Sequence, residues 1–198
     1  MRYSTRTALL TLPLLAGLAA WTSSPEQLAL QSESRLWVEG NSTIRSFTCK
    51  AAQVDAVVEA SSANAVPRIL TGEKAVKSVD IIVPSEKLDC GGGTMNDHMR
   101  EALKVNEFPN IAFHVASYDV AKGTDGVSGT LTGTLTLGGV KKSIVIPATA
   151  ADAGGALHVL GSYELNMTEY EIKPPSLMFG RIKVRDIVTV KFDLLLKS

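Results

Sequence analysis

Val127-Ser128-Gly129-Thr130-Leu131-Thr132-Gly133-Thr134-Leu135-Thr136-Leu137 alternates without a break, with Val, Gly or Leu at odd positions and Ser or Thr at even ones. A side-chain period of two belongs to a β-strand, because successive Cβ atoms leave opposite faces of the pleat. One face of this strand is therefore apolar and the other hydroxylated. Gly129 and Gly133 fall on the apolar face, where glycine lets a strand of a small barrel bend tightly. Gly138-Gly139 follows at once, a pair that takes positive φ without strain and reads as a hairpin turn.

The same alternation extends outward from that stretch. Toward the C-terminus, Ile144, Ile146, Ala148 and Ala150 share one face, with Ser143 and Thr149 on the other. After a turn at 152–155, Leu157, Val159, Gly161 and Tyr163 oppose His158, Ser162 and Glu164. The last strand sets Val184, Val188, Val190, Phe192, Leu194 and Leu196 against Arg185, Thr189, Lys191, Asp193 and Lys197, with Asp186 alone interrupting the inward row. Toward the N-terminus, strands are expected at 34–39, 51–60, 75–83 (Val79, Ile81 and Val83 inward) and 111–119 (Ile111, Phe113 and Val115 inward). The count is eight short-linked strands, an all-β antiparallel up-and-down barrel or a sandwich. Eight strands enclose an interior that side chains fill or that holds one small ligand. A single segment breaks the rhythm. Over 94–105, Met95, Met99, Ala102 and Leu103 fall at helical spacing, with Thr94 as the cap and Pro109 as a stop. Its apolar stripe is expected on the mouth or flank of the barrel.

At the N-terminus, Arg2 and Arg6 precede an uncharged Leu- and Ala-rich run over 8–20 that closes on Gly17, Ala19 and Ala20. That pattern is a secretory signal peptide over 1–20, and the run is too short to span a bilayer, which takes about 20 apolar residues. Residues 21–33 are polar and Ser-rich and read as a flexible tail, leaving 34–198 as one domain. The chain has 20 basic and 20 acidic residues; without Arg2 and Arg6 the balance is 18 against 20, a charge of −2. So even a balance offers no electrostatic reason for nucleic acid or an anionic membrane as a partner, and no stable membrane insertion is expected. The two cysteines, Cys49 and Cys90, read as one structural disulfide in an exported protein. Free thiols and a redox pair are the alternatives, the latter usually more closely spaced.

Three segments together resemble the YceI-like bacterial proteins. The first runs from Met95-Asn96-Asp97-His98-Met99-Arg100-Glu101-Ala102-Leu103-Lys104 into Phe108-Pro109-Asn110-Ile111-Ala112-Phe113. The second is the 128–142 hairpin, and the third is Lys183-Val184-Arg185-Asp186-Ile187-Val188-Thr189-Val190. The resemblance implies an extracytoplasmic, periplasmic or secreted, lipocalin-like barrel. It also implies an elongated internal pocket for a polyisoprenoid or another long-chain amphiphilic lipid. Many members carry Arg-Asp where this chain has Met95-Asn96, so that pair's role does not carry over. The cysteine pair looks like a feature of one branch.

The chemistry-bearing residues are few. His98, His114 and His158 offer no two ligands at metal spacing on one element, so no metal is expected. His114 and His158 lie opposite apolar rows and read as solvated, whereas His98 matches the family's helix histidine. His98 is the best polar candidate at a pocket mouth, against a purely structural hydrogen bond in the helix packing. Nucleophile elbows, phosphate loops and dinucleotide fingerprints are absent, so neither a cofactor nor catalysis is expected. The expected ligand wall joins Met95, His98 and Met99 on the helix to Phe113, Val115, Leu131, Leu135, Ile144 and Ile146 on strands. Val159, Tyr163, Val188 and Val190 continue it, with Met178 and Phe179 in the loop 168–183 as a lid or rim. The same inward rows also suit a filled, ligand-free barrel with a structural or protein-binding role. Inward Gly129, Gly133, Ala148 and Gly161 tilt toward a cavity by removing side-chain volume. Oligomeric state, including a homodimer, stays open.

Overall fold

The alternation around Val127–Leu137 becomes one continuous antiparallel sheet in the computed structural model, which describes residues 26–198. The expected leader at 1–20 and residues 21–25 of the expected tail lie outside the described residues. The sheet comprises β1 (Ala29–Leu30), β2 (Arg35–Asn41), β3 (Ser46–Ala51), β4 (Asp55–Ala60), β5 (Val76–Pro84), β6 (Leu88–Asp89), β7 (Asn110–Lys122), β8 (Val127–Leu137), β9 (Val140–Ala153) and β10 (Ala156–Asn166), with the last strand described below. Two helices, α1 (Ala65–Leu70) and α2 (Gly93–Ala102), interrupt the strands. A separate hairpin of β11 (Ser176–Leu177) and β12 (Ile182–Lys183) precedes β13 (Ile187–Lys197), which returns to the main sheet. None of the described helices is long and apolar enough to cross a membrane.

The main sheet holds eleven strands, not the eight expected from the sequence. The strand expected over 51–60 is β4 alone, starting at Asp55 after the break at 52–54, and β3, which reaches the expected stretch only at Ala51, was not anticipated. β1 and β6 are two residues long and too short to show a period. The expected order holds around the curl, since β4, β5, β7, β8, β9, β10 and β13 are neighbours in turn and β13 then pairs β2. β8 and β9 pair from Val127↔Ala150 to Leu137↔Val140 with no slip, as the unbroken alternation requires.

The sheet curls into a half-barrel whose open edges are tied together by the segment expected to be a tail. β1 pairs β13 through Ala29↔Lys197 and Leu30↔Leu196. On its other side the Leu28 N–H donates to the Val58 carbonyl at 2.9 Å and the Ala60 N–H to the Glu26 carbonyl at 2.7 Å. Leu28 is 1% exposed. From residue 26 on, the polar tail is a structural closure, because one apolar residue in it reaches the core.

Glycine does not open the interior in the way the sequence suggests. A Cβ on Gly133 would meet the Phe113 ring at 2.8 Å, one on Gly161 would overlap the Phe192 ring, and one on Gly40 would overlap the Phe47 ring. Gly161 sits directly opposite Phe192, and Gly40 opposite Phe47. The volume these glycines release is taken by aromatic rings laid across from the next strand, which also bury the bare glycine backbone.

Candidate functional site

At one end of the half-barrel, α1 closes the interior. Ala65, Val66 and Ile69 turn inward at 0%, 3% and 6% exposure and pack with Leu28, Val58, Val127, Leu157 and Leu196. The helix was not anticipated because it is a turn and a half long, holds Pro67 and has no side-chain cap. At the opposite end, where β8 turns into β9, lie Phe113, Leu137, Leu165, Tyr170 and Ile172. α2 lies over this end. It starts at Gly93 with Gly92 as its cap residue and no side-chain cap, so Thr94 falls inside the first turn and does not cap it.

Between the ends runs an apolar cavity of about 330 Å³. Its wall includes Met95 and Met99 from α2, Phe113 from β7, Leu131 and Leu135 from β8, and Ile144 and Ile146 from β9. Val159 and Tyr163 of β10, and Val188 and Val190 of β13, complete the expected set that reaches it. Four expected residues are placed otherwise. His98 is half-buried on α2 but off the wall, because Met95, Met99 and Ala102 occupy the inward stripe of the helix. Val115 is buried, yet the wall passes it by, at the point where the pairing of β7 with β8 shifts between Val115 and Ser117. Phe179 is fully exposed, with φ 54° at the tip of the β11–β12 hairpin, so it turns away from the cavity. The side chain of Met178 lies outside the described residues.

Several wall residues were not anticipated. Leu28 and Ile69 line the closed end, hidden in the segment read as tail and in the unforeseen helix. Met167, Ile172 and Pro175 line the other end, from the loop expected as a rim. Tyr118 enters the wall just past the β7 shift and latches β7 to β5: its hydroxyl accepts from the Val76 N–H at 2.9 Å and donates to the Val76 carbonyl at 3.3 Å. Two phenols, Tyr163 on the wall and Tyr170 in the core beside it, are perturbed by burial. Burial pushes the Tyr163 hydroxyl above the usual tyrosine range, with the Glu169 carboxylate adding to it. Tyr170, 2% exposed, is pushed up to about 12, first by burial and then by Tyr163 and Glu169 beside it. Its hydroxyl is buried without satisfactory hydrogen-bond geometry to any described group.

α2 is held at its start. Cys49 of β3 and Cys90, just past β6, form a disulfide. Asn96 accepts from the Cys90 N–H at 2.7 Å and donates to Asp89 at 2.9 Å, while the Gly91 N–H also donates to Asp89 at 3.0 Å. These donors, Asn96 first, hold the Asp89 carboxyl below its usual range. Where the chain enters the helix, side chains placed on Gly91, Gly92 or Gly93 would meet nothing within 4 Å. The other two histidines are on the outer face, each paired with a cross-strand aspartate at 2.7 Å: His114 with Asp80 and His158 with Asp193. Among the described residues no three His, Cys, Asp or Glu side chains are grouped to hold a metal ion.

The architecture is thus a curled antiparallel half-barrel around an apolar cavity, closed at one end and covered by a short helix at the other. The chain belongs to the YceI-like domain family, whose match spans residues 27–196. Solved structures agree on the fold. Burkholderia cenocepacia BcnA is 18% identical with a TM-score of 0.66, over 84% of this chain and 99% of that one. A polyisoprenoid-binding domain from Saccharophagus degradans is 13% identical with a TM-score of 0.60, over 87% of this chain and 97% of its own. The Campylobacter jejuni YceI protein is 16% identical with a TM-score of 0.58, covering 74% and 82%. No curated protein sequence matches the chain.

Proposed function

We propose that this protein is an extracytoplasmic carrier that takes a long-chain amphiphilic lipid, such as a polyisoprenoid, a quinone-like molecule or a fatty-acid derivative, into the barrel and performs no chemistry on it. The observation that carries the reading is the cavity itself. About 330 Å³ falls within the range of small-molecule sites, and its wall is almost wholly apolar. Each methylene that leaves water for such a wall gains roughly 0.8 kcal/mol, so ten gain roughly 8 kcal/mol before the cost of fixing the chain. An elongated lipid fits a cavity that runs from Leu28 and Ile69 at the closed end to Met95 and Ile172 at the other. The methionines suit an irregular flexible ligand, because unbranched thioethers repack easily. The fold likeness to a polyisoprenoid-binding domain supports the ligand class. The Cys49–Cys90 disulfide supports an oxidising compartment and fits export through the basic and apolar N-terminus.

The filled-barrel alternative needs inward rows that touch across the interior, and the cavity opposes that. The test is native mass spectrometry of protein purified from its own cell envelope, followed by lipid extraction. A stoichiometric long-chain adduct that is lost on denaturation is expected. An empty protein that also refuses added isoprenoid and fatty-acid probes overturns the carrier reading.

A further inference from the structure

The even charge of the whole chain hides a local imbalance. The turn between β2 and β3 lies against the β11–β12 hairpin: the Thr43 N–H donates to the Lys183 carbonyl at 3.0 Å, and the Arg185 N–H donates to the Asn41 carbonyl at 2.8 Å. The Thr43 hydroxyl also donates to the Arg181 carbonyl at 3.0 Å, so turn and hairpin form one ledge. Across residues 41–46 and 173–186 this ledge carries five cations, Arg45, Lys173, Arg181, Lys183 and Arg185, against one carboxylate, Asp186. All five cationic residues are exposed. Two large apolar side chains project from the same ledge: Phe179 at 110% exposure from the hairpin tip, and Ile44 at 65% from the turn. The ledge borders the cavity, because Pro175 and Val184, joined by a backbone hydrogen bond of 3.0 Å, both line it.

We propose that this ledge docks the protein on an anionic lipid bilayer with the α2-covered end of the cavity toward the membrane. Basic side chains close to a negatively charged leaflet each strengthen binding by roughly five-fold, and an aromatic ring among them enters the interface between headgroup and acyl chain. The charge complementarity favours a phospholipid surface, and the exposed Phe179 and Ile44 suit one because water is their alternative. A lipid chain passing between bilayer and cavity beside Pro175 would then leave the membrane without crossing bulk water. That consequence rests on the carrier reading; the docking itself does not.

The experiment is sedimentation of the protein with vesicles of phosphatidylethanolamine and phosphatidylglycerol, with phosphatidylcholine vesicles as the neutral control. Binding to the anionic vesicles is expected to weaken as salt rises, with little binding to the neutral ones. The double variant Arg181→Glu/Arg185→Glu is expected to lose at least about ten-fold in anionic-vesicle affinity, from the per-cation gain above. Phe179→Ser is expected to lose several-fold. Equal binding to both vesicle types, no binding to either, or wild-type binding by the charge-reversal variant would overturn the proposal. So would capture of a soluble polyanion such as heparin with the anionic vesicles left unbound. Uptake of a soluble long-chain fluorophore without vesicles reports the cavity separately and is expected to be unchanged by Arg181→Glu/Arg185→Glu. A protein that binds vesicles but never the fluorophore keeps the docking surface and loses the carrier reading; the reverse pattern does the opposite.

Discussion

The two helices stand at opposite ends of one half-barrel and are built in opposite ways. α1 has six residues, and three of them, Ala65, Val66 and Ile69, are nearly or fully buried against Leu28, Val58 and Leu196. α2 has ten residues and none fully buried, although it carries the more regular apolar stripe. Its fixed points are at its start, in the disulfide and the Asp89–Asn96 pair. A helix whose residues vanish into a core acts as a plug, since every opening would expose it whole. One that lays a stripe of Met95, Met99 and Ala102 over a cavity, after three unpacked glycines, acts as a lid. The difference predicts that damage to α1 costs stability with little effect on ligand exchange, whereas damage to α2 or its anchor changes how fast a ligand enters and leaves, whatever it also costs in stability.

The largest effect should come from the anchor of the lid, which also staples the chain. The disulfide closes a loop of sequence separation 41, and the chain-entropy relation then gives about 4 kcal/mol. Cys49→Ser/Cys90→Ser is expected to lose about that much in urea titration, and to release a fluorescent lipid faster at temperatures where it stays folded. A double variant as stable as the wild type would show that neither β3 nor the start of α2 needs the bond.

Leu28→Ala probes the plug. Removing a buried leucine costs about 3 kcal/mol, which for a domain of this size is a fall of roughly 6–12 °C in Tm. Lipid release at temperatures well below Tm is expected to stay near wild type. Accelerated release with little loss of Tm would reverse the comparison and make the α1 end the door.

The plug was the harder end to read. β8 and the strands after it are legible because each has one wet and one dry face, so period two survives in the sequence. That logic placed nine expected wall residues on the cavity, from Phe113 to Val190, and helical spacing added Met95 and Met99, eleven of the fifteen in all. It fails wherever an element is too short to repeat: β1, β6 and α1 contribute two, two and six residues. It fails again for glycine, because whether Gly161 leaves a void or receives a ring depends on Phe192 lying opposite, and register across distant strands is not written in either segment alone. His98 was misplaced for a related reason, since a helix stripe fixes which side is dry but its neighbour at the edge can lie just off the cavity. Phe179 belongs to neither pattern: its hairpin turns it outward at positive φ.

Met95→Ala/Met99→Ala separates lid from plug more finely. Both side chains reach the cavity from a helix that buries no residue fully, so the variant should lose less than a leucine cut from the core. Its lipid release is expected to quicken several-fold in stopped-flow displacement, because the lid keeps its anchor but gives up most of its contact with the chain beneath. Unchanged release would mean that α2 is decoration and the chain escapes elsewhere along the rim.

The smallest effect is a pH dependence confined to the lid's anchor. Asp89 is held below its usual range, first by Asn96 and then by the Gly91 N–H. A carboxylate with a lowered folded pKa contributes stability that is fully present above its unfolded value of 3.8 and is lost as pH falls through the lower folded value. Lipid release is therefore expected to be flat from neutrality down to about pH 4 and to quicken below it, with the protein still folded by circular dichroism. Asn96→Ala removes the stronger donor, so its acid acceleration should begin at higher pH and its release at neutrality should be somewhat faster. Because Asp89 is surface-exposed, the effect belongs to local opening of the lid and should leave the closed end untouched. If acid instead exposes the α1 end first, seen as early amide exchange at Val66 and Ile69, the barrel opens from its plug and the assignment of the two ends must be exchanged.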